Sequence, residues 1–269
     1  MDLTRDYENA AFIPGADDYP PRWAEEAADW RAAMAAVGQF RALDVGGHPV
    51  ELFLPSARPA GLVVFVHGGY WRRFSAADFS WLARGPMARD LAVALPAYPL
   101  CPSVRIRDIT RHVARAVEAT LAAVPEGPVT VTGHSAGGHL AARMACPGVL
   151  PDTAAARIVR CVPISPVSEL EPLIRTDMND DLRLDAEEAA AESPARLRPL
   201  PHVSAEVWVG ADERPAFLDQ ARWLAEAWGC GHRIVRGRHH FDVIDGLADA
   251  ADGLCLAVDP RSGPGRSVR

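Results

Sequence analysis

The sequence predicts an α/β fold, with a mostly parallel central sheet and helices on both faces. Three observations predict it. Short apolar or β-branched runs bounded by Pro and Gly recur along the chain, and stretches of helical spacing separate them. The run Leu62–Val66 (LVVFV) is apolar at every position, as an interior strand covered on both faces requires. The alternation of the two patterns is that of βαβ units.

Taken in order, residues 50–54 (VELFL), Leu62–Val66 and 91–95 (LAVAL) read as strands. Between 104 and 124 the residues Ile109, Val113, Ala116, Val117 and Leu121 fall near helical spacing, and Pro125, Gly127 and Pro128 end the pattern. A strand at 129–132, a helix at 136–145 and a strand at Ile158–Ile164 follow. A strand at 206–209, a helix at Pro215–Trp228 and a last strand at 232–235 complete the alternation. Residues 165–201 break the rhythm, being rich in acids and prolines with a helix expected at Ala186–Glu192. This segment reads either as a lid or cap excursion over the carboxyl edge of the sheet or as an ordinary surface connection. Residues 1–258 are expected to form one domain, and 259–269 (DPRSGPGRSVR), which lack apolar periodicity, a disordered tail.

Composition narrows the function. The chain has 269 residues, 49% hydrophobic and 23% charged, which excludes disorder or coiled coil as its main state. No apolar run approaches the roughly 20 residues of a membrane-spanning helix, and MDLTRDYENA lacks the apolar block of a secretory signal. The expectation is therefore a cytoplasmic protein that does not cross a membrane. A net charge of −7 argues against nucleic acid as a partner. The five cysteines (Cys101, Cys146, Cys161, Cys230, Cys255) are odd in number and lack a C-x-x-C pair, so neither a disulfide framework nor a zinc site is expected. No cofactor is implied, the expected partner is a small molecule, and a homodimer is compatible with the sequence.

The chemistry concentrates in four places. Gly133-His134-Ser135-Ala136-Gly137 matches G-x-S-x-G directly after a predicted strand and before a predicted helix, where a sharp turn lifts a serine hydroxyl above the sheet. Ser135 is the candidate nucleophile. After Leu62–Val66, His67-Gly68-Gly69-Tyr70-Trp71 allows a turn that brings backbone amides to a bound oxygen, with His67 bracing the loop. A serine needs a histidine base and an acid that orients it, following in the chain order Ser, acid, His. Asp212 and Glu213 follow a strand end, and His239 and His240 follow the last strand. The acids of 177–192 follow no strand and read as solvated charge. Tyr70, Trp71, Phe74 and Trp81 could line a site for an aryl group or belong to the core, and Ser165, Arg175 and Asn179 could contact a substrate but read as surface residues.

Together HGGYW (67–71), GHSAGGHLAA (133–142), ERPAF (213–217) and HHFDVID (239–245) resemble the arylformamidase (kynurenine formamidase) branch of the α/β-hydrolase superfamily and its HGGxW esterase relatives. Tyr7 and Asn9 ahead of an acidic, proline-containing segment extend the similarity to the start of the chain. The resemblance implies an α/β-hydrolase fold and a Ser135–His240–Glu213 triad. The family's D-x-P-x-F frame falls on Glu213, with glutamate in place of the commoner aspartate, and its H-F-D frame on His240. It implies oxyanion donors at Gly69, Tyr70 and Ala136, and no metal, since the H-x-G-T-H-x-D-x-P cluster of metal-dependent formamidases is missing; of the aromatics near the predicted mouth, Trp71 is the expected substrate contact. The implied function is a serine hydrolase that removes a small acyl group, an arylformamidase acting on N-formyl-L-kynurenine or a similar aryl formamide. The alternative is a carboxylesterase for short-chain acyl esters.

Overall fold

The computed structural model describes residues 2–262. Its eight strands are β1 (Phe40–Val45), β2 (His48–Phe53), β3 (Leu62–Val66), β4 (Ala92–Pro96), β5 (Val129–His134), β6 (Ile158–Ile164), β7 (Ser204–Gly210) and β8 (Gly231–Val235). They form one sheet in the order β1-β2-β4-β3-β5-β6-β7-β8. From β4 to β8 every neighbouring pair is parallel, whereas β1 and β2 run antiparallel at one edge. This is the α/β-hydrolase arrangement.

The helices used below are α1 (Tyr19–Ala36), α2 (Ile106–Ala123), α3 (Ala136–Met144), α4 (Ala186–Glu192), α5 (Pro215–Trp228) and α6 (Gly253–Val258). Successive side chains of a strand point to opposite faces, so a strand apolar at every position serves two cores. Leu62, Val64 and Val66 of β3 face a core that includes residues of α2, α3 and α5. Val63 and Phe65 face a second core with residues of α1 and α6. Helix α2 begins where Asp108 accepts a hydrogen bond from the Arg105 amide at 3.2 Å, closing its first turn.

Three of these elements, α1, β1 and α6, were not expected from the sequence. Helix α1 buries only Trp23 and Ala27, one turn apart, so its apolar stripe is too narrow to stand out from its surroundings. Strand β1 is half-exposed at the sheet edge, and the Gly46-Gly47 turn joins it to β2 with φ of 60° and 81°, the left-handed pair that a two-residue hairpin requires.

The segment 165–201 mixes packed and exposed residues. Glu188 and Glu192 are buried, Glu188 paired with Arg105 of the α2 start and Glu192 with Arg143 of α3 at 3.1 Å. His139 Nε2 bonds the Glu192 carbonyl at 2.8 Å. The expectation of solvated charge holds for Asp177, Asp180, Asp185 and Glu187, which are exposed, and fails for Glu188 and Glu192, because each of these two meets an arginine from a helix far away in sequence.

The expected disordered tail also starts too early. Asp259 is 1% exposed, and its carboxylate accepts hydrogen bonds from Arg89 Nε at 3.0 Å and from the Arg261 amide at 2.9 Å. The remaining residues of that tail, 263–269, lie outside the described residues. No described helix is long and apolar enough to cross a membrane.

Burial alone would raise the Asp259 pKa, but the hydrogen bonds from Arg261 and Arg89 outweigh it and hold the carboxyl at about 2. A carboxyl depressed in the folded state stabilises the fold above its unfolded value, and that stabilisation is lost as pH falls through the folded value. Asp259→Asn should therefore cost about 1–2 kcal/mol at pH 7, the partial exposure of both arginines having been allowed for. In urea titrations the gap between wild type and variant should close as pH falls from about 4 to about 2; a gap independent of pH would contradict the assignment.

Candidate active site

At the end of β5 the chain makes a turn that ordinary side chains resist. Ser135 has φ 57° and ψ −117°, and α3 starts at the next residue. Such a left-handed conformation at a non-glycine residue is strained, and its neighbours must permit it. A Cβ on Gly133 would lie 2.3 Å from the Gly137 carbonyl oxygen, and one on Gly137 would lie 2.0 Å from that of Val66. Only glycines allow the turn to close against the end of β3. The Ser135 amide donates to the Ile164 carbonyl at 2.9 Å, tying the elbow to β6.

Beyond β7 and β8 a carboxylate and an imidazole meet. His240 Nδ1 lies 2.6 Å from Glu213 Oε2, with both side chains enclosed. Glu213 Oε1 accepts hydrogen bonds from the Gly210 amide at 2.8 Å and from Ser165 Oγ. The longer glutamate is thus folded back onto the strand end that carries it. Phe217 and His134 wall the imidazole, with ring centroids 4.2 and 4.5 Å away. Burial and the neighbouring His240 hold His134 well below the usual histidine range, so it stands neutral at pH 7. Asp212 is exposed and its amide bonds the Arg238 carbonyl at 2.9 Å. His239 turns away from Glu213, toward the Tyr19 hydroxyl at 3.1 Å and Asp242. Glu213 and His240 are therefore the hydrogen-bonded pair. Ser135 and His240 line one cavity, although no hydrogen bond joins Ser135 Oγ to the imidazole among the described residues.

The loop after β3 carries Gly69, Tyr70 and Trp71 in succession at φ 107°, 52° and 57°. A Cβ on Gly69 would meet the Arg73 carbonyl oxygen at 2.3 Å, because that loop coils onto itself through bonds from the Arg72 and Arg73 amides to the Gly69 carbonyl. Among the described residues the Gly69 and Tyr70 amides have no acceptor. Ala136, first residue of α3, has its N–H among those a helix start leaves unpaired. His67 braces the loop, its ring stacked on Tyr98 at 4.2 Å and its Nδ1 donating to the Gly68 carbonyl at 2.8 Å. Burial pushes the His67 pKa down to about 4, so it stands neutral.

A cavity of about 440 Å³ opens over these groups, lined by Gly68, Gly69, Tyr70, His134, Ser135 and His240. Trp23, Phe74, Phe79 and Phe241 supply aromatic wall. Of the aromatics singled out in the sequence, Tyr70 and Phe74 reach the cavity, and Trp71 and Trp81 do not. Trp71 as a substrate contact is therefore corrected. Its left-handed backbone turns the indole inward, where it is fully buried and packs edge-on to His139 at 5.1 Å. Ser165 serves Glu213, Asn179 closes its own loop onto Leu184, and Arg175 pairs with Glu171, so none of the three lines the cavity.

The cover was not foreseen. The segment 165–201 contributes only Asp177 and Met178 to the lining, whereas Thr4, Tyr7, Asn9, Ala16 and Pro20 come from the start of the chain. Nothing in the local composition of 4–20 signals this role, which arises from contacts with residues more than 50 positions away, such as Tyr70 Oη to the Tyr7 carbonyl at 2.6 Å.

A parallel sheet that carries a strained serine between strand and helix is the framework of a hydrolase. Residues 63–262 match the model described as "Alpha/beta hydrolase family", and the chain belongs to that family. It is similar to a kynurenine formamidase of Danio rerio, 26% identical over 76% of this chain and 74% of the relative. It is also similar to the crystal structure of a candidate thioesterase from Silicibacter sp. TM1040, with 48% identity, a TM-score of 0.91 and coverage of 96% of this chain and 99% of that one. An esterase from Mycobacterium marinum shares the fold at 19% identity, with a TM-score of 0.65 over 91% of this chain and 90% of that one.

The geometry separates the two neighbouring acids by experiment. Glu213→Gln should lower kcat about a thousandfold or more, since a side-chain amide facing His240 Nδ1 favours the wrong tautomer. Asp212→Asn, at an exposed side chain with no hydrogen bond to His240 among the described residues, should change it less than about twofold. Equal losses in the two variants, measured on any ester that the wild type turns over, would reject Glu213 as the working partner.

Proposed function

We propose that this chain is a serine hydrolase that removes a small acyl group through Ser135, His240 and Glu213, acting as an arylformamidase on N-formyl-L-kynurenine or a similar aryl formamide. The observation that carries this reading is the aromatic-walled cavity of about 440 Å³ with Ser135 and His240 in one wall, a volume suited to an aryl leaving group with a minimal acyl group. The similarity to kynurenine formamidases supports it.

In this reading His240 Nε2 takes the Ser135 proton as Oγ attacks the formyl carbon. Negative charge gathers on the carbonyl oxygen, where the amides of Gly69, Tyr70 and Ala136 receive it. Glu213 steadies the imidazolium, which then protonates the departing aryl amine nitrogen as the C–N bond breaks. Water, deprotonated by His240, attacks the formyl-serine and releases formate, returning the proton to Oγ. The enclosed Glu213–His240 pair needs no metal for these steps.

A second reading, hydrolysis of short-chain esters or thioesters, is favoured by the 48% identical candidate thioesterase. It uses the same groups, and the two differ in which leaving group the cavity rewards.

Comparing kcat/KM for N-formyl-L-kynurenine and a short-chain p-nitrophenyl ester separates them, with Ser135→Ala as the control. The formamide should be preferred by about a hundredfold or more, equivalent to roughly 2.7 kcal/mol of transition-state discrimination. Ser135→Ala should lower both activities by several orders of magnitude while the fold persists. A preference for the ester would select the second reading, and retention of activity in Ser135→Ala would reject both.

A further inference from the structure

Residues 4–20 cover the catalytic cavity as a strap, and the loop after β3 walls it from another side. That loop also borders a second cavity, of about 540 Å³, and among the described residues the two cavities share Arg72 and Phe74 in their linings. Arg72 is fixed by Asp181 at 2.6 Å. Phe74 is the apolar part of the partition. A Cβ on Gly69 would lie 2.9 Å from Phe74 Cδ2, so the ring rests against the glycine whose amide is proposed to receive the oxyanion. Trp23 and Phe79 brace that ring edge-on, with centroids 5.9 and 5.8 Å away. At the next residue the Ser75 amide donates to Asp78 Oδ2 at 2.8 Å, which pins the loop there. Phe74 holds its place at φ 67°, a conformation that costs a non-glycine residue energy. A strained position kept by a bulky side chain points to a use for that side chain.

The second cavity suits an uncharged chain. Ala76, Ala97, Pro99, Leu100 and Cys101 give it an apolar lining. The carboxylate in that lining, Glu51, is 6% exposed and already engaged by Ser80 Oγ and by Arg31 at 3.6 Å. The ring of His48, also in the lining, packs edge-on to His112 at 4.8 Å.

We propose that Phe74 is a specificity-determining residue whose ring separates the second cavity from Ser135 and so limits the acyl group to a few carbons. The proposal rests on acyl transfer at Ser135, and it goes beyond that reading by naming what keeps the acyl group small. The reason is space. With an aryl leaving group in the aromatic-walled cavity, an acyl carbon whose oxygen sits at the Gly69 amide carries its substituent beside the Phe74 ring. A long chain then finds no apolar wall to bind, whereas removal of the ring opens the second cavity to it.

The test is the ratio of kcat/KM for p-nitrophenyl octanoate to that for p-nitrophenyl acetate, taken within each variant. In the wild type the octanoate should be the poorer substrate by about tenfold or more. Phe74→Gly removes the ring and relieves the backbone, and it should raise the ratio by about tenfold or more; Phe74→Leu should raise it by less. Phe74→Tyr, which keeps a ring in place, should leave the ratio within about twofold of wild type. Adding Ser103→Trp, which puts an indole into the lining of the second cavity, to Phe74→Gly should bring the ratio back to within about threefold of wild type. Thermal melts check that each variant folds, and Phe74→Leu carries the same test, alone and with Ser103→Trp, where Phe74→Gly melts early. A wild type that takes both esters equally, a ratio unmoved by loss of the ring, or an equal gain in Phe74→Tyr would overturn the proposal. A gain that persists with Ser103→Trp would overturn it too, by assigning the effect to a loosened mouth. Ser135→Ala separates the two readings: ester turnover that is absent in the wild type or survives in Ser135→Ala rejects acyl transfer at Ser135, whereas Ser135-dependent turnover with an unmoved ratio rejects Phe74 alone.

Discussion

The site depends on one close approach, that of the β5 elbow to the end of β3. The Val66 carbonyl oxygen would lie 2.0 Å from any Cβ on Gly137, and the Gly137 carbonyl oxygen 2.3 Å from any Cβ on Gly133. Because no side chain intervenes, the strained Ser135 is held against the loop that follows Val66, which is how the Gly69 and Tyr70 amides come to share a cavity with it. The strain at Ser135 is offset by the packing around it: β3 and β5 are buried along their whole lengths, and the elbow is tied to β6 through the Ser135 amide. Rigid strands thus set the position of the hydroxyl, and loops supply its partners.

Those partners are braced in different ways. The Gly69–Trp71 loop is fixed from below by the His67 ring stacked on Tyr98, and from above by the Tyr70 hydroxyl on the Tyr7 carbonyl. The His240 loop is fixed by Glu213 on one side, and on the other by His239, which reaches Tyr19. The start of the chain therefore touches both of these loops, through Tyr7 and through Tyr19. The same polypeptide that covers the cavity also sets the posture of its floor.

Much of this was legible in the sequence, for physical reasons. β3 is apolar at every position because both of its faces are covered, and G-x-S-x-G between strand and helix is legible because sterics allow few sequences to make that turn. The choice of His240 over His239 and of Glu213 over Asp212 came from a resemblance of short frames, and the hydrogen bond between those two residues agrees with it. What was missed depends on partners distant in sequence. Tyr70 and Trp71 both lie near the predicted mouth, and the side to which a left-handed turn sends an indole is not written in composition. Glu188 and Glu192 looked solvated because their arginines lie on other helices. Helix α1 shows only two buried residues, and the hairpin at Gly46-Gly47 announces itself only in a glycine pair.

The bonds that fasten the strap span most of the chain. Tyr7 and Gln220 are 213 residues apart, and Tyr19 and His239 are 220 apart. Contacts of such separation close the largest loops, and they form only when both ends are present and the intervening sheet has ordered. During synthesis the strap emerges first, yet its anchors on α5 and on the His240 loop emerge last. A chain interrupted before residue 239 would carry the Tyr7 contacts with Tyr70 and Gln220 but lack both the His239 anchor of Tyr19 and the imidazole that pairs with Glu213.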